Sequence, residues 1–359
     1  MEMAPIIKEY QPAFERKFKN RILPGQKKAL EAMKICREPE CGEVIVACPK
    51  CGKVEYKTHS CGHRSCPKCQ NHEATKWLHR QCQKLLPVRY FLVTFTVPAQ
   101  LRKTIADNQR SAFEALFQAS RETLEELAAN GRYLGGKIGM TGVLHTHNRK
   151  LDFHPHIHYL VPAGCIDQKQ RTWKKKSWKF LFPENAMAKL FRGKLLGLFY
   201  KMGWKISDQI PTDKWVVSCK DVGHGAKALE YLSRYLYRGV IAEKQIIKNQ
   251  DGNVTFRYRE SKTDMWKKRT ETGENFLRLI LQHVLPRAFR RTRDYGFLHG
   301  NAKKSLRLLQ LILHVKLPKP EEPERPVFKC SRCGANMQIV TRKIRRAAKE
   351  KVVLLGASP

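Results

Sequence analysis

Residues 154–158 read His-Pro-His-Ile-His and run on into the apolar segment YLVPAG. Side chains alternate along an extended strand, so His156 and His158 share one face while Ile157 turns to the other. Two imidazoles on one face of a rigid strand form a platform for a divalent metal ion, since each offers a ring nitrogen. Alternating histidines alone are a weak signal, and an ordinary surface or core role competes. Context strengthens it: with His145, His147 and His154, five of the chain's thirteen histidines fall within fourteen residues. The third ligand is His145 or His154. His154 has the parity of His156, but Pro155 bends the strand there. If the segment NRKLD turns near residue 150 or 151, His145 faces His156 across a hairpin, and His145 is preferred.

A second constellation is EYLSRYLYRG. Tyr231 and Tyr235 are four apart, which stacks them on one helix face, one turn from each other. Lys227 lies one turn earlier, and Arg234 and Arg238 flank that face as candidate phosphate contacts. Tyr237 falls on another face and is read as packing. An amphipathic helix with tyrosines in its core would give the same pattern. Beside a metal platform, however, a phenol is a usable nucleophile for a phosphodiester, because the ion polarises the phosphate. A phosphotyrosine retains the bond energy, so a free 3′ hydroxyl reverses the step.

The third is CPKCGKVEYKTHSCGHRSCPKC. Cys48, Cys51, Cys66 and Cys69 form two C-x2-C knuckles, the spacing of a closed, structural four-thiolate zinc site. Buried thiols would not need paired spacing, and a redox dithiol would not need two pairs. Cys36, Cys41, Cys61, His59 and His63 are left to form a second site, or to serve as a core thiol and phosphate-facing histidines. Cys330 and Cys333 supply half a site near the C-terminus, or two free thiols.

These groups need elements to hold them. RYFLVTFTVP reads as a buried strand, and IGMTGVLHTH with FHPHIHYLVPAG as a hairpin. SAFEALFQASRETLEELAA, PENAMAKLFRGKLLGLFYKMG, GAKALEYLSRYLYRG and NFLRLILQHVL read as helices. WVVSCK is a strand, and QIIKNQDGNVTFRYR a hairpin about Asp251-Gly252. QKQRTWKKKSWK is a basic loop, and PKPEEPERP a stiff linker. The class is α+β, with an at least partly antiparallel sheet. The linear division is a helical and zinc-binding, DNA-binding module over 1–86, a catalytic domain over 87–260 and a basic helical extension over 261–317. Residues 318–359 form a linker and basic tail.

Lys and Arg number 69 against 32 Asp and Glu, a formal net charge of +37. That excess calls for a polyanion, and nucleic acid is the usual one; a ribosome-associated or membrane-surface protein would share it. No apolar run approaches the ~18 residues of a membrane helix. The N-terminus lacks the layout of a signal peptide. The chain is therefore expected to act in the cytoplasm, near the nucleoid, with twelve reduced cysteines.

Taken together, SCGHRSCPKCQ, RYFLVTFTVP, VLHTH, HPHIHYLVPAG, YLSRYLYRG, DGNVTFRYR and LQHVLPRAFRRTRDYGFL resemble, in order and spacing, the two-tyrosine HUH transposases of rolling-circle insertion sequences. The family in question is the insertion-sequence-ninety-one family, and the resemblance covers most of the chain. It implies an HUH-endonuclease-type sheet with flanking helices behind a zinc module, with structural zinc on Cys48, Cys51, Cys66 and Cys69. It further implies magnesium or manganese on His156 and His158, and Tyr231 and Tyr235 as nucleophiles forming 5′-phosphotyrosines. The implied substrate is single-stranded DNA at element ends and target. Tyr237 is an extra phenol beyond the family pattern. No G-x-x-x-x-G-K-[ST] loop occurs, so helicase or replication proteins are left to the host. A replication initiator or relaxase would share the chemistry. A non-catalytic zinc protein that binds nucleic acid would explain the charge and cysteines, but not the histidine strand or the tyrosine helix.

Overall fold

The computed structural model describes residues 1–69, 71–167, 172–175, 181–206, 210, 215–236, 239–261, 263–316, 327–346 and 349–354. It divides into two compact units, each discontinuous in sequence: Lys76–Leu236 with Leu285–Glu321, and Met1–Thr75 with Tyr237–Val284 and Glu322–Pro359. Strand pairing joins segments far apart in sequence.

The first unit is built on a five-stranded sheet, in the order Thr292–Tyr295, Met140–His147, Phe153–Pro162, Tyr90–Thr96, Val217–Asp221. Every neighbouring pair is antiparallel. Alternation gives the sheet two unlike faces. Phe91, Val93 and Phe95 join Ile157, Tyr159 and Val161 in one apolar core. That core contains Phe113, Leu116 and Phe117 of the helix Gln109–Ala129, and Phe191, Leu195 and Phe199 of the helix Glu184–Lys201. The Tyr159 ring meets Phe95 edge-on, and its hydroxyl lies 2.9 Å from Ser120 Oγ. Opposite Tyr159 on the neighbouring strand is Gly142. A Cβ there would come within 2.7 Å of the Tyr159 ring, so this position requires glycine.

The histidine hairpin closes through a side-chain-supported turn. Asn148 Oδ1 accepts hydrogen bonds from the amides of Lys150 and Asp152, and Leu151 adopts a left-handed φ of 68°. The register shifts between His145 and His147. This irregularity leaves His145 opposite His156 and His147 opposite Phe153.

The second unit carries two sheets. Glu43–Ala47 pairs with Val54–Thr58 on one side and with the C-terminal strand Gln338–Arg346 on the other, and Lys349–Leu354 completes a four-stranded sheet. Ile246–Gln250, Asn253–Arg259 and Trp266–Thr272 form a three-stranded antiparallel sheet. Its first hairpin turns on Asp251 and Gly252, both at positive φ, as an Asp-Gly turn requires. The helix Gly273–Leu281 packs Phe276 against Phe256 of this sheet. Among the described residues no helix is long and apolar enough to cross a membrane. The expected linker 318–326, and most of the basic loop 168–179, lie outside the described residues; Trp173–Lys175 is a short strand paired with Gly164–Ile166.

Candidate active site

On the sheet face turned away from the apolar core, His145, His156 and His158 form one cluster, with their ligand atoms all within 4.8 Å of one another. His145 and His156 are direct cross-strand partners, and His158 follows two residues along the same strand. His158 Nδ1 lies 2.7 Å from the Thr94 hydroxyl, on the adjoining strand directly opposite. His156 Nδ1 lies 2.7 Å from the carbonyl oxygen of His154. Each contact engages Nδ1 and orients the ring, leaving Nε2 as the ligand atom, as outer partners do for metal-binding histidines. Burial pushes the His156 imidazole down to about 4. Burial, with His156 next to it, pushes His158 down to about 3. Burial and then the neighbouring His158 and His156 hold His145 well below the usual range. All three are therefore neutral near pH 7, the protonation state a metal requires. Three neutral imidazoles at this spacing fit a divalent ion. His154 lies outside the cluster, its ring centroid 5.1 Å from that of His156.

The helix Ala226–Leu236 presents Ala228, Leu229, Leu232 and Leu236 as its buried side. Tyr231 lies on the other side, 40% exposed. Its ring stands edge-on to the His158 imidazole, with centroids 6.2 Å apart. Lys227 is exposed one turn earlier. Arg234 is exposed and donates from one guanidinium nitrogen to the Glu230 carboxylate, which leaves further N–H donors for a phosphate. Tyr235 belongs to the same helix, but its side chain lies outside what is described, as do Tyr237 and Arg238 altogether. Arg291 donates a 3.3 Å hydrogen bond to the carbonyl of Leu236, the last residue of the helix, where a cation also favours the helix dipole. Neither Arg291 nor Thr94 stood out in the sequence. The alternation of RYFLVTFTVP does place Thr94 off the apolar face, which was the signal available for it.

The cysteines correct the expected single zinc site. Cys48 and Cys51 group with Cys330 and Cys333, and Cys66 and Cys69 group with Cys36 and Cys61. The two knuckles thus belong to different clusters. In the first, Cys48–Cys333 sulfurs are 3.5 Å apart, and Cys51–Cys330 and Cys51–Cys333 are 3.6 Å apart. In the second, Cys36–Cys69 and Cys36–Cys66 are 3.5 Å apart and Cys61–Cys69 is 3.6 Å apart. Zn–S bonds of about 2.3 Å in a tetrahedron place sulfurs about 3.8 Å apart, so both clusters are close to a zinc shell. Within the second cluster, hydrogen bonds from Cys61 and Cys66 lower Cys36 to about 7, while those with Cys36, Cys66 and Cys69 raise Cys61. Sulfurs this close do not all ionise unless a cation compensates them. Cys41, His59 and His63 belong to neither cluster, and His63 Nδ1 accepts from the Ser65 amide at 3.2 Å.

This geometry can be set beside known proteins. The family described as putative transposase matches residues 139–305, which include the histidine hairpin and the tyrosine helix. The family described as transposase zinc-binding domain matches residues 6–97. The chain is 32% identical over 349 residues to the putative transposase y4qJ of Sinorhizobium fredii, covering 90% of this chain and 87% of that one. It is 27% identical over 317 residues to the transposase for insertion sequence element IS801 of Pseudomonas savastanoi pv. phaseolicola, covering 80% and 76% respectively. No solved structure matches. The chain belongs to the IS91 family of transposases, with an N-terminal zinc-binding domain. Its substrate is accordingly DNA, and the domain and its cysteine clusters support structural zinc.

Proposed function

We propose that this transposase nicks and rejoins single-stranded DNA at the ends of its element and at the target, in a rolling-circle reaction through 5′-phosphotyrosine intermediates. The observation that carries the reading is the Tyr231 ring beside His158, at the edge of a cluster of three neutral histidines. His145, His156 and His158 would hold magnesium or manganese, which supplies polarisation of the scissile phosphate and compensation of its charge. Thr94 and the His154 carbonyl keep two of those imidazoles aimed. The Tyr231 oxygen attacks phosphorus and forms a P–O bond as the bond to the 3′ oxygen breaks. The phenol releases its proton to solvent and the departing 3′ oxygen takes one up. Tyr235 is assigned the second nucleophile, one turn along, and Lys227, Arg234 and Arg238 the phosphate oxygens. Each cysteine tetrad is assigned one structural zinc. Helicase and replication proteins of the host would complete the reaction.

The test is incubation of the purified protein with end-labelled single strands from the element's ends, with and without added magnesium or manganese. The expected product is a metal-dependent nick with DNA covalently attached to protein. A nick bearing no adduct, or equal cleavage without either metal, would refute the proposal.

A further inference from the structure

The three-stranded sheet Ile246–Gln250, Asn253–Arg259, Trp266–Thr272 has one covered face and one open face. Val254, Phe256 and Tyr258 of the central strand point inward and are buried, with Phe256 against Phe276. The alternate residues point outward, and register fixes their neighbours: Arg257 lies opposite Lys268, Arg259 opposite Trp266, and Thr255 opposite both Lys248 and Thr270. Lys248, Arg257, Arg259, Lys268 and Trp266 are all exposed, Trp266 at 55%. Arg257 sits over the Trp266 ring at 4.9 Å from its centroid. Arg259 pairs with Asp264 in the turn at 2.7 Å. Lys248, Arg257 and Lys268 form no ion pair among the described residues.

Two features separate this face from an ordinary solvated surface. Arg257 and Lys268 are like charges directly opposite each other, an arrangement that costs stability in a sheet. A lysine on an edge strand can serve to discourage sheet-to-sheet pairing, but Arg257 is on the central strand. A large indole is also held in the open beside these cations. Cations with a planar aromatic ring suit a ligand that offers phosphates and flat bases together.

We propose that this face binds single-stranded DNA, with Arg257 and Lys268 on successive phosphates and a base stacked on Trp266. The inference rests on the functional reading above only for the identity of the strand. It adds a binding surface in the unit that does not contain the histidine cluster.

The test measures affinity of the full-length protein for a labelled single-stranded oligonucleotide across a salt series, without added magnesium or manganese. Trp266→Ala should weaken binding roughly 5- to 150-fold, the range for loss of one base–aromatic stack, and Trp266→Phe should recover most of it. Arg257→Gln with Lys268→Gln should lower the slope of log affinity against log salt by about 1.4, for two phosphates released on a single strand. The same double variant should keep its Tm within about 4 °C of wild type, because relief of the like-charge pair offsets loss of the Arg257 contact with Trp266. Stability kept while binding is lost is an outcome that a structural role would not produce. Unchanged affinity and salt slope in both variants would overturn the proposal. Losses confined to duplex probes would overturn the single-strand assignment, and equal competition by polyglutamate would overturn the nucleic-acid assignment. Wild-type nicking with metal, run in parallel, reports on the catalytic reading alone, so either can fail without the other.

Discussion

The Thr94 hydroxyl lies 2.7 Å from Nδ1 of His158, joining the strand Tyr90–Thr96 to the histidine whose ring meets Tyr231. The contact has no counterpart on the apolar face, where the same strand contributes Phe91, Val93 and Phe95 to the core. Thr94→Val keeps the shape and β-branching but removes the oxygen. We predict that it raises the magnesium or manganese concentration needed for half-maximal nicking by roughly 10- to 100-fold, the usual cost of losing an outer partner to a metal ligand. Saturating metal should restore most of the rate. A normal metal requirement in this variant would show that Thr94 does not position His158.

Removing a ligand should cost more than removing its partner. His156→Ala and His158→Ala are expected to nick at below roughly a hundredth of the wild-type rate. His145→Ala should fall in the same range, since its ligand atom belongs to the same cluster. Single-strand affinity should stay within a few-fold in all three, because it rests on distributed Lys and Arg. Normal nicking by His145→Ala would move the third ligand to His154.

Much of this arrangement is legible in the sequence, and what is not has a physical reason. Parity along FHPHIHYLVPAG separates His156 and His158 from Ile157, and the structure has Ile157 in the core. The Asp251-Gly252 hairpin follows from local turn chemistry. The distribution of the cysteines does not, because a ligand set is a tertiary property. Spacing suggests joining Cys48 and Cys51 to Cys66 and Cys69. The pairing of Glu43–Ala47 with Gln338–Arg346 instead brings Cys330 and Cys333 to the first knuckle. Two C-x2-C knuckles in one segment look like one site to a local reading, and only long-range pairing separates them.

That separation makes a stoichiometric prediction. Two tetrads require about two zinc ions per chain by elemental analysis. Cys333→Ser should leave about one, and hydrogen exchange should rise at Gln338–Arg346 and Glu43–Ala47, whose pairing the site supports. Cys61→Ser should also leave about one, but with those strands still protected. Cys66→Ser should behave like Cys61→Ser and lower stability, because the ion closes a module with little apolar core. One zinc in wild type, or the same exchange pattern in both variants, would contradict two independent sites.

The tyrosines give the sharpest test, because Phe removes the nucleophilic oxygen while keeping the ring. A single phenol holding a strand cannot attack again until it is released. Two phenols one helical turn apart can act in sequence at one phosphate position, the second attacking while the first still holds its strand. Tyr231 lies on the open side of a helix whose buried side is Ala228, Leu229, Leu232 and Leu236, so Tyr231→Phe should leave folding intact. Tyr231→Phe and Tyr235→Phe are each predicted to impair transposition severely. At least one of the two should still nick an oligonucleotide, since one phenol suffices for one cut. The double variant should form no covalent adduct, and peptide mapping of the wild-type adduct should place DNA on Tyr231 or Tyr235. Thermal unfolding of each variant, compared with wild type, separates chemistry from folding. An adduct mapped only to Tyr237, or undiminished in the double variant, would show that the nucleophile lies elsewhere and that Tyr231 is beside His158 for packing alone.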